Sequence, residues 1–313
     1  NILMKIKKYL PIIGIIIFLY ILFKLDLSNI LKEISNSNIN FLLIAIFLIF
    51  ISFITQTLKW FTIAKIQLTN ISFIEAFKIN IMSMFYGFIT PSRIGGIIRA
   101  EYLRKYNNNN LGKGVSNYVL DKVLDLCSLA FIAGLFSFMF KDLVAINYFD
   151  YSLLVFILIV IFLIIFRDKK RSMKFLRIIY IKLVPKKMKE KVKNGFNSFY
   201  QDMPKKRFFI LFFLLNILNW IVLYASTFFI GISLGINISF YYFLAILPIA
   251  ALIGQIPITI SGFGTREAVM ISLFGLIGIS ATKVFSMSLI SIFFAGVIPT
   301  LIGSFLIFKN KEK

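Results

Sequence analysis

The chain has 313 residues, 59% of them hydrophobic, with no histidine, one cysteine and a net charge of +22. Mean hydropathy is +0.89; an apolar share this high excludes an ordinary soluble domain and reads as an integral membrane protein. The missing histidine and the lone Cys127 exclude disulfides, Cys-rich metal centres, histidine proton relays and Ser-His-Asp or Cys-His nucleophile systems, so no metal and no cofactor are expected.

Lys5, Lys7 and Lys8 precede an apolar run that ends at Phe23-Lys24-Leu25-Asp26. No small-residue cleavage site follows, so 9–25 reads as a retained first span and not as a signal peptide. A second span is predicted at 41–63, with Lys59-Trp60 as a basic and aromatic anchor at the interface. Segment 71–105 is apolar but broken in its middle, and Glu75 and Lys78 near its start have the spacing of a local i,i+3 pair. Asn107 to Asn110, with Gly112 and Gly114, make an exposed turn before a span at 115–140. That span carries Asp121, Lys122 and Asp125 in its first turns, then Cys127 as a small packing residue.

A span at 150–166 leads into segment 167–207, where 15 Lys/Arg face only Asp168, Glu190 and Asp202. Leu176, Ile179, Tyr180 and Leu183 recur there at helical spacing, as do Met188, Val192, Phe196 and Phe199 after Pro185. The pattern predicts two basic amphipathic helices on the inner leaflet. Spans at 208–235 and 281–308 then flank a second broken apolar segment, 240–279.

Lys/Arg bias orients the chain, because short cytoplasmic loops carry the excess. With the N-terminus inside, and with each broken segment entering and leaving on one face, every basic cluster is cytoplasmic, including Lys309, Lys311 and Lys313. A single crossing by 71–105 would put the 167–207 cluster outside. Two crossings within 71–105 keep the parity, so charge alone leaves that arrangement open; Pro91 and the glycines favour a re-entrant hairpin. The expected fold is all-α and polytopic: one transmembrane domain with six full spans and two broken or re-entrant helical hairpins. Each half, 1–145 and 146–313, then has three crossings and one broken element, which makes the halves inverted repeats. Both termini and 167–207 face the cytoplasm in a multi-pass protein of the cell membrane.

The two breaks resemble each other. Thr90-Pro91-Ser92-Arg93-Ile94-Gly95-Gly96-Ile97-Ile98-Arg99-Ala100-Glu101 lies over Ile256-Pro257-Ile258-Thr259-Ile260-Ser261-Gly262-Phe263-Gly264-Thr265-Arg266-Glu267 at an offset of 166 residues. The offset matches Pro91 with Pro257, Gly96 with Gly262 and Glu101 with Glu267. Each proline stops a half-helix, and Gly95, Gly96, Gly262 and Gly264 permit the turn that follows. A second half-helix starts with Ser92, Ser261 or Thr265 as N-cap, which aims N–H groups and a partial positive charge at the site. Arg93, Arg99 and Arg266 add permanent charge with the bidentate geometry that phosphate takes. The alternative is that these arginines pair with Glu101, Asp121, Asp125 and Glu267, with Lys122 alongside, and simply lock the broken helices. A metal at Asp121 and Asp125 would lack further ligands, and no nucleic-acid pattern accompanies the basic charge.

With these residues the chain resembles the transmembrane region of the lysylphosphatidylglycerol synthase/flippase family. The resemblance rests on Pro91-Ser92-Arg93-Ile94-Gly95-Gly96 with Arg99, on Asp121-Lys122-Val123-Leu124-Asp125, and on Gly262-Phe263-Gly264-Thr265-Arg266-Glu267. Where the family pattern has a Glu-Arg pair this chain has Asp121-Lys122, which keeps the charge order but not the guanidinium. The resemblance implies the translocating part without the soluble aminoacyl transferase of the fullest members, and hence no enzyme. A separately encoded synthase or transferase would be its partner.

The leading expectation is a flippase for an anionic or phosphate-bearing lipid or lipid-linked headgroup, with Glu101 and Glu267 as candidate proton carriers. Two alternatives stay open: a membrane-embedded transferase acting on a lipid-linked donor, and a non-catalytic scaffold in an envelope-lipid or glycosylation pathway.

Overall fold

A computed structural model of the chain describes residues 14–91, 93–137, 148–183, 189–257 and 259–311. Lys5, Lys7, Lys8, Ser92, Pro185, Met188 and Lys313 lie outside the described residues, as do the side chains of Ile179, Tyr180, Leu183 and Lys311. Every described element is a helix, and the only bridge between extended segments among the described residues joins Pro91 to Ile260.

Helix α1 (Gly14–Lys24) meets α2 (Leu27–Ser35) at 78°, and Asp26 caps α2 by accepting the Ser28 N–H at 3.1 Å. Helix α3 (Ile39–Ile66) begins where Asn38 accepts the Asn40 N–H at 3.0 Å. At 1.5 Å per residue it is on the order of 40 Å long, more than a bilayer core. Then come α4 (Phe73–Phe88), a 3₁₀ turn at Ile94–Ile98, α5 (Arg99–Arg104), α6 (Leu111–Ser137), α7 (Tyr148–Arg167), α8 (Lys169–Leu183) and α9 (Lys189–Phe199). The second part of the chain gives α10 (Phe208–Ser233), α11 (Phe240–Gly254), α12 (Thr265–Gly275), α13 (Ala281–Ile292) and α14 (Ile298–Lys311). Pro299 has no N–H to return to the preceding turn, and Phe293–Val297 there widens to π geometry without ending the helix.

Among the described residues three helices are long and apolar enough to cross a membrane: Ile39–Ile66, Phe208–Ser233 and Ala281–Lys309. The bent α1–α2 pair would make a fourth if it counts as one span. Helix α6 matches these in length, with 27 residues, but interrupts its apolar sequence with Lys113, Asp121, Lys122 and Asp125. Large side chains such as Phe47, Ile210, Phe305 and Phe308 point outward and stay uncovered, as lipid-facing side chains do, since lipid replaces water as their solvent.

Helix α11 packs on α6, α10 and α12, and its Phe243, Ala245, Ile246 and Ala250 are buried in one apolar cluster with residues of α3 and α13. Helices α3 and α10 run antiparallel along each other. The Asn38 N–H at the start of α3 donates to Ser233 O at the end of α10 (2.8 Å), and Thr55 Oγ1 donates to Asn219 Oδ1 midway (2.9 Å). Gly264, at φ 79°, brings the second break against α1, where a Cβ would run into the Gly14 carbonyl and approach the Phe18 nitrogen to 2.9 Å. Gly264→Ala should therefore lower stability by about 1–3 kcal/mol, from positive-φ strain and overpacking together. A melting temperature in detergent equal to wild type would contradict that packing.

Two helices, α8 and α9, occupy the basic segment. Asp168 opens α8 by accepting the Arg171 N–H (2.9 Å), and this bond holds its carboxyl below the usual range. The Tyr200 hydroxyl ties the end of α9 back to Phe166 O and Ser172 Oγ. Helix α9 rests on α6, where Lys113 Nζ meets Asp202 Oδ2 at 2.8 Å and Asn110 Nδ2 donates to Gln201 Oε1.

Candidate functional site

The two sequence breaks meet in space. Helix α4 stops before Pro91 and α11 stops before Pro257, as proline demands of the chain ahead of it. Pro91 bridges Ile260, the Ser261 N–H donates to Thr90 O (3.4 Å), and Arg93 Nε donates to Ser261 Oγ (3.1 Å). Arg93 and Ser261 both take left-handed backbone, at φ 56° and 50°. Gly262 at φ 81° lets this segment lie within van der Waals range of Gly254, at the end of α11. In the first break Gly95 is wedged so that a Cβ would strike Tyr86 O and Thr90 Oγ1.

The half-helix starts differ from expectation. Neither Ser261 nor Thr265 caps α12: its N-cap is Gly264, whose N–H donates 2.7 Å to Glu267 Oε2. Glu267 supplies the carboxylate half of a capping box and is itself the anion at the helix start. Thr265 Oγ1 instead bonds to Gly262 O (3.1 Å) and meets Thr259 Oγ1 (3.2 Å). In the first break the Thr90 hydroxyl accepts the Gly95 N–H at 2.8 Å. The Gly95 and Gly264 N–H groups are thus held by the chain and not offered to a ligand.

A cavity of about 130 Å³ lies between the breaks and helices α3, α10 and α13, several times the space one water needs. Arg93 and Arg266 both line it, one from each break, and among the described residues no aspartate or glutamate does. Arg266 Nη2 lies 3.0 Å from Glu267 Oε1 and 3.0 Å from Ser288 Oγ, with about a quarter of its side chain accessible. Ser288 Oγ completes the triangle by donating to Glu267 Oε1 (2.8 Å). Arg93 is exposed, and among the described residues it has no carboxylate within 4.0 Å.

A second cluster lies beside the first break. Asp121 Oδ2 accepts from Arg99 Nη2 (3.0 Å), and its Oδ1 lies 3.2 Å from Lys59 Nζ. Lys59 also binds Asp125 and the Asn216 oxygen of α10. The Arg99 guanidinium stacks over Trp60 at 4.5 Å and Tyr118 at 5.5 Å. Lys59, Arg99, Asp121 and Asp125 balance in charge, which is what four groups away from water require. Lys122 reaches across to the second break, where its Nζ donates to Gln255 Oε1 (2.8 Å), with no carboxylate within 4.0 Å among the described residues. Across both clusters five cations (Lys59, Arg93, Arg99, Lys122, Arg266) face three carboxylates (Asp121, Asp125, Glu267), so two positive charges remain uncompensated.

The structure brings Arg93, Arg99, Arg266, Asp121, Lys122, Asp125 and Glu267 around the crossing of the breaks, but not Glu101. Its side chain is 52% exposed and pairs with Arg104 (3.1 Å) one turn along α5. Lys59 corrects the sequence reading in the other direction. It is not an interfacial anchor but 1% exposed, at the core of the ionic cluster. The signal was present: a lysine after some twenty residues of apolar helix is by default a functional position. Gln255, Asn216 and Ser288, polar residues in apolar helices, were missed for the same reason.

Comparison with known proteins places the sequence among membrane proteins. The family model for the lysylphosphatidylglycerol synthase TM region matches residues 11–303. A UPF0104 membrane protein of Pyrococcus horikoshii is 25% identical, over 98% of this chain and 98% of its own. Another, of Methanocaldococcus jannaschii, is 26% identical over 96% of this chain and 95% of its own, and one of Methanothermobacter thermautotrophicus 24% over 93% and 89%. Matched over nearly its full length, this membrane protein belongs to the lysylphosphatidylglycerol synthase transmembrane-region family.

Proposed function

We propose that the chain translocates a phosphate-bearing lipid headgroup between leaflets, with its tails left in the bilayer. One observation carries the reading: arginines from two separate helix breaks line one cavity that no carboxylate among the described residues lines. A headgroup charge in hydrocarbon costs many kcal/mol, and a cationic polar cavity between packed helices removes that cost. Arg93 and Arg266 bind the phosphate; Arg99, Lys59, Asp121 and Asp125 hold the first break in shape, and Glu267 holds the second. Lys122 adds charge without a carboxylate of its own. No nucleotide-binding loop occurs in the sequence, so a gradient or mass action drives the movement, and a separately encoded synthase or transferase supplies the lipid.

The same reading takes the fold as two inverted repeats, 1–145 and 146–313, with six spans and two re-entrant elements in the cell membrane. The 166-residue offset supports it beyond the motifs: moved by that amount, α3, α4 and α5–α6 fall on α10, α11 and α12–α14. Packing follows the same exchange, since α4 lies on α14 as α11 lies on α6, and α2 on α13 as α9 on α6. Helices α3 and α10 are exchanged by the repeat and run antiparallel, so the relating axis is perpendicular to them and in the membrane plane. The basic segment with α8 and α9 then lies on the cytoplasmic leaflet, with both termini on that side.

The test is purified protein in liposomes, with a panel of lipids differing only in headgroup. At least one phosphate-bearing lipid should cross tenfold or more faster than in protein-free liposomes. No acceleration for any lipid would overturn the reading, and a new lipid product formed in detergent would replace it with a transferase.

A further inference from the structure

The two glutamates that the sequence offers as proton carriers are spoken for. Glu101 lies away from the crossing of the breaks, paired with Arg104. Glu267 accepts from the Gly264 N–H at Oε2 and from Arg266 and Ser288 at Oε1. Asp121 and Asp125 neutralise Arg99 and Lys59. The charge left over is positive, and it sits on Arg93 and Lys122.

These two cations stand side by side. Tyr118, one turn before Lys122 on α6, donates to Arg93 O (3.3 Å) and Ile94 O (3.4 Å), so the first break lies along this face of α6. Lys122 is partly accessible, and its Nζ ends 2.8 Å from the oxygen of Gln255, which lines the cavity with Arg93. The charged groups around Lys122 are Arg93 of the first break, Lys59 of α3, and Asp121 and Asp125 of its own helix. Arg99 of α5 stands behind Asp121. Helix α11 brings the neutral Gln255, and α10 brings the neutral Asn216 and, towards Asp125, the Tyr224 hydroxyl.

An uncompensated charge away from water is costly, and a group that is able to neutralise does so instead. A guanidinium keeps its proton, whereas a lysine ammonium can give its proton up. The Gln255 oxygen suits both states, because a neutral amine still donates to it. With Lys122 discharged, the excess of two positive charges around the breaks falls to one. A singly charged phosphate that arrives while Lys122 regains its proton leaves the excess at one.

We propose that Lys122 is the site of proton coupling: it takes up a proton as a phosphate binds at Arg93 and releases it as the phosphate leaves, so that lipid and proton cross together. The inference rests on the translocase reading and adds its driving ion.

The test is calorimetry on the purified protein in detergent, with short-chain phosphatidylglycerol and phosphatidylcholine as probes, because neither titrates near neutral pH. Repeating each titration in buffers of different ionisation enthalpy reads the protons taken up. Wild type should take up about one proton per lipid bound, and binding should tighten by up to about tenfold for each unit the pH falls. Lys122→Arg should take up none and hold the tight, acid-side affinity at every pH. Lys122→Met should take up none and hold the weak, alkaline-side affinity. No proton uptake by wild type, or equal uptake by Lys122→Arg, would overturn the inference, and lipid movement in the headgroup panel would leave the translocase reading standing. If neither probe binds, the lipid that crosses fastest in that panel replaces them. A pH gradient of about one unit should then enrich it about tenfold in the leaflet on the alkaline side, and equal leaflets would overturn the inference. No crossing by any lipid ends both readings.

Discussion

Asp121→Asn should be among the most destabilising single substitutions in the chain, lowering the melting temperature in detergent by on the order of 10 °C. Asp121 is the carboxylate shared by Arg99 and Lys59, at 3.0 and 3.2 Å, and its side chain is 10% exposed. The amide keeps the shape but leaves two buried cations with Asp125 alone. Breaking a buried pair on one side typically costs about 3–5 kcal/mol, because the remaining charge has no water to return to. Removing a whole pair is different. Lys59→Met with Asp125→Leu leaves Arg99 and Asp121 matched, and the double variant should melt within about 1–2 kcal/mol of wild type by the same reasoning. An Asp121→Asn protein that melts like wild type, measured by intrinsic fluorescence or by scanning calorimetry, would mean that the cluster is wet and its charges are not coupled.

Two glutamates at matched positions show how far the sequence could be read. Glu101 and Glu267 each stand third in the half-helix after a break, and the motif overlay treats them as equivalent. Their spacing from the helix start is a capping-box signal, so the role of Glu267 was legible in Gly264-Thr265-Arg266-Glu267. The exposure of Glu101 was not. Helix α5 is only six residues long and turns that position outward, which depends on how a short helix sits and not on its pattern. The breaks themselves were legible because proline and glycine act locally. That they touch at Pro91 and Ile260 is a tertiary fact, to which only the repeat gave a clue.

Lys59 teaches the opposite lesson. Its neighbours Trp60 and Lys65 are what an interface supplies, so composition pulled the residue towards the surface. Its partners come from α6 and α10, 62 to 157 residues away in sequence, and no local pattern announces them. A buried charge is recognised by the charge that balances it, and the balance here is closed by three elements at once, α3, α5 and α6. The α-helical class, the broken segments and the cationic character of the site followed from local chemistry. Which cations were neutralised and which were left over did not.

Arg93 is one of the two cations left over, and its replacement should separate transport from folding. Its guanidinium makes one hydrogen bond, to Ser261 Oγ, and no ion pair among the described residues. Arg93→Gln keeps the reach and the hydrogen-bonding end while removing the charge, and the left-handed backbone at φ 56° burdens glutamine no more than arginine. Stability should change by about 0.5 kcal/mol or less, the range of substitutions that break no buried partnership. Transport of a phosphate-bearing lipid should fall about 10- to 100-fold, because a hydrogen bond to a charged group is worth about 1.5–3 kcal/mol. Arg93→Lys should recover part of the rate and not all of it, since ammonium restores the charge without the planar fork that meets two phosphate oxygens. A Gln variant that transports at the wild-type rate would remove Arg93 from the path. One that loses transport together with its fold would make the Arg93–Ser261 contact a strut between the breaks. Only loss of transport with the fold retained, and partial rescue by lysine, agrees with an arginine whose counter-ion arrives with the lipid.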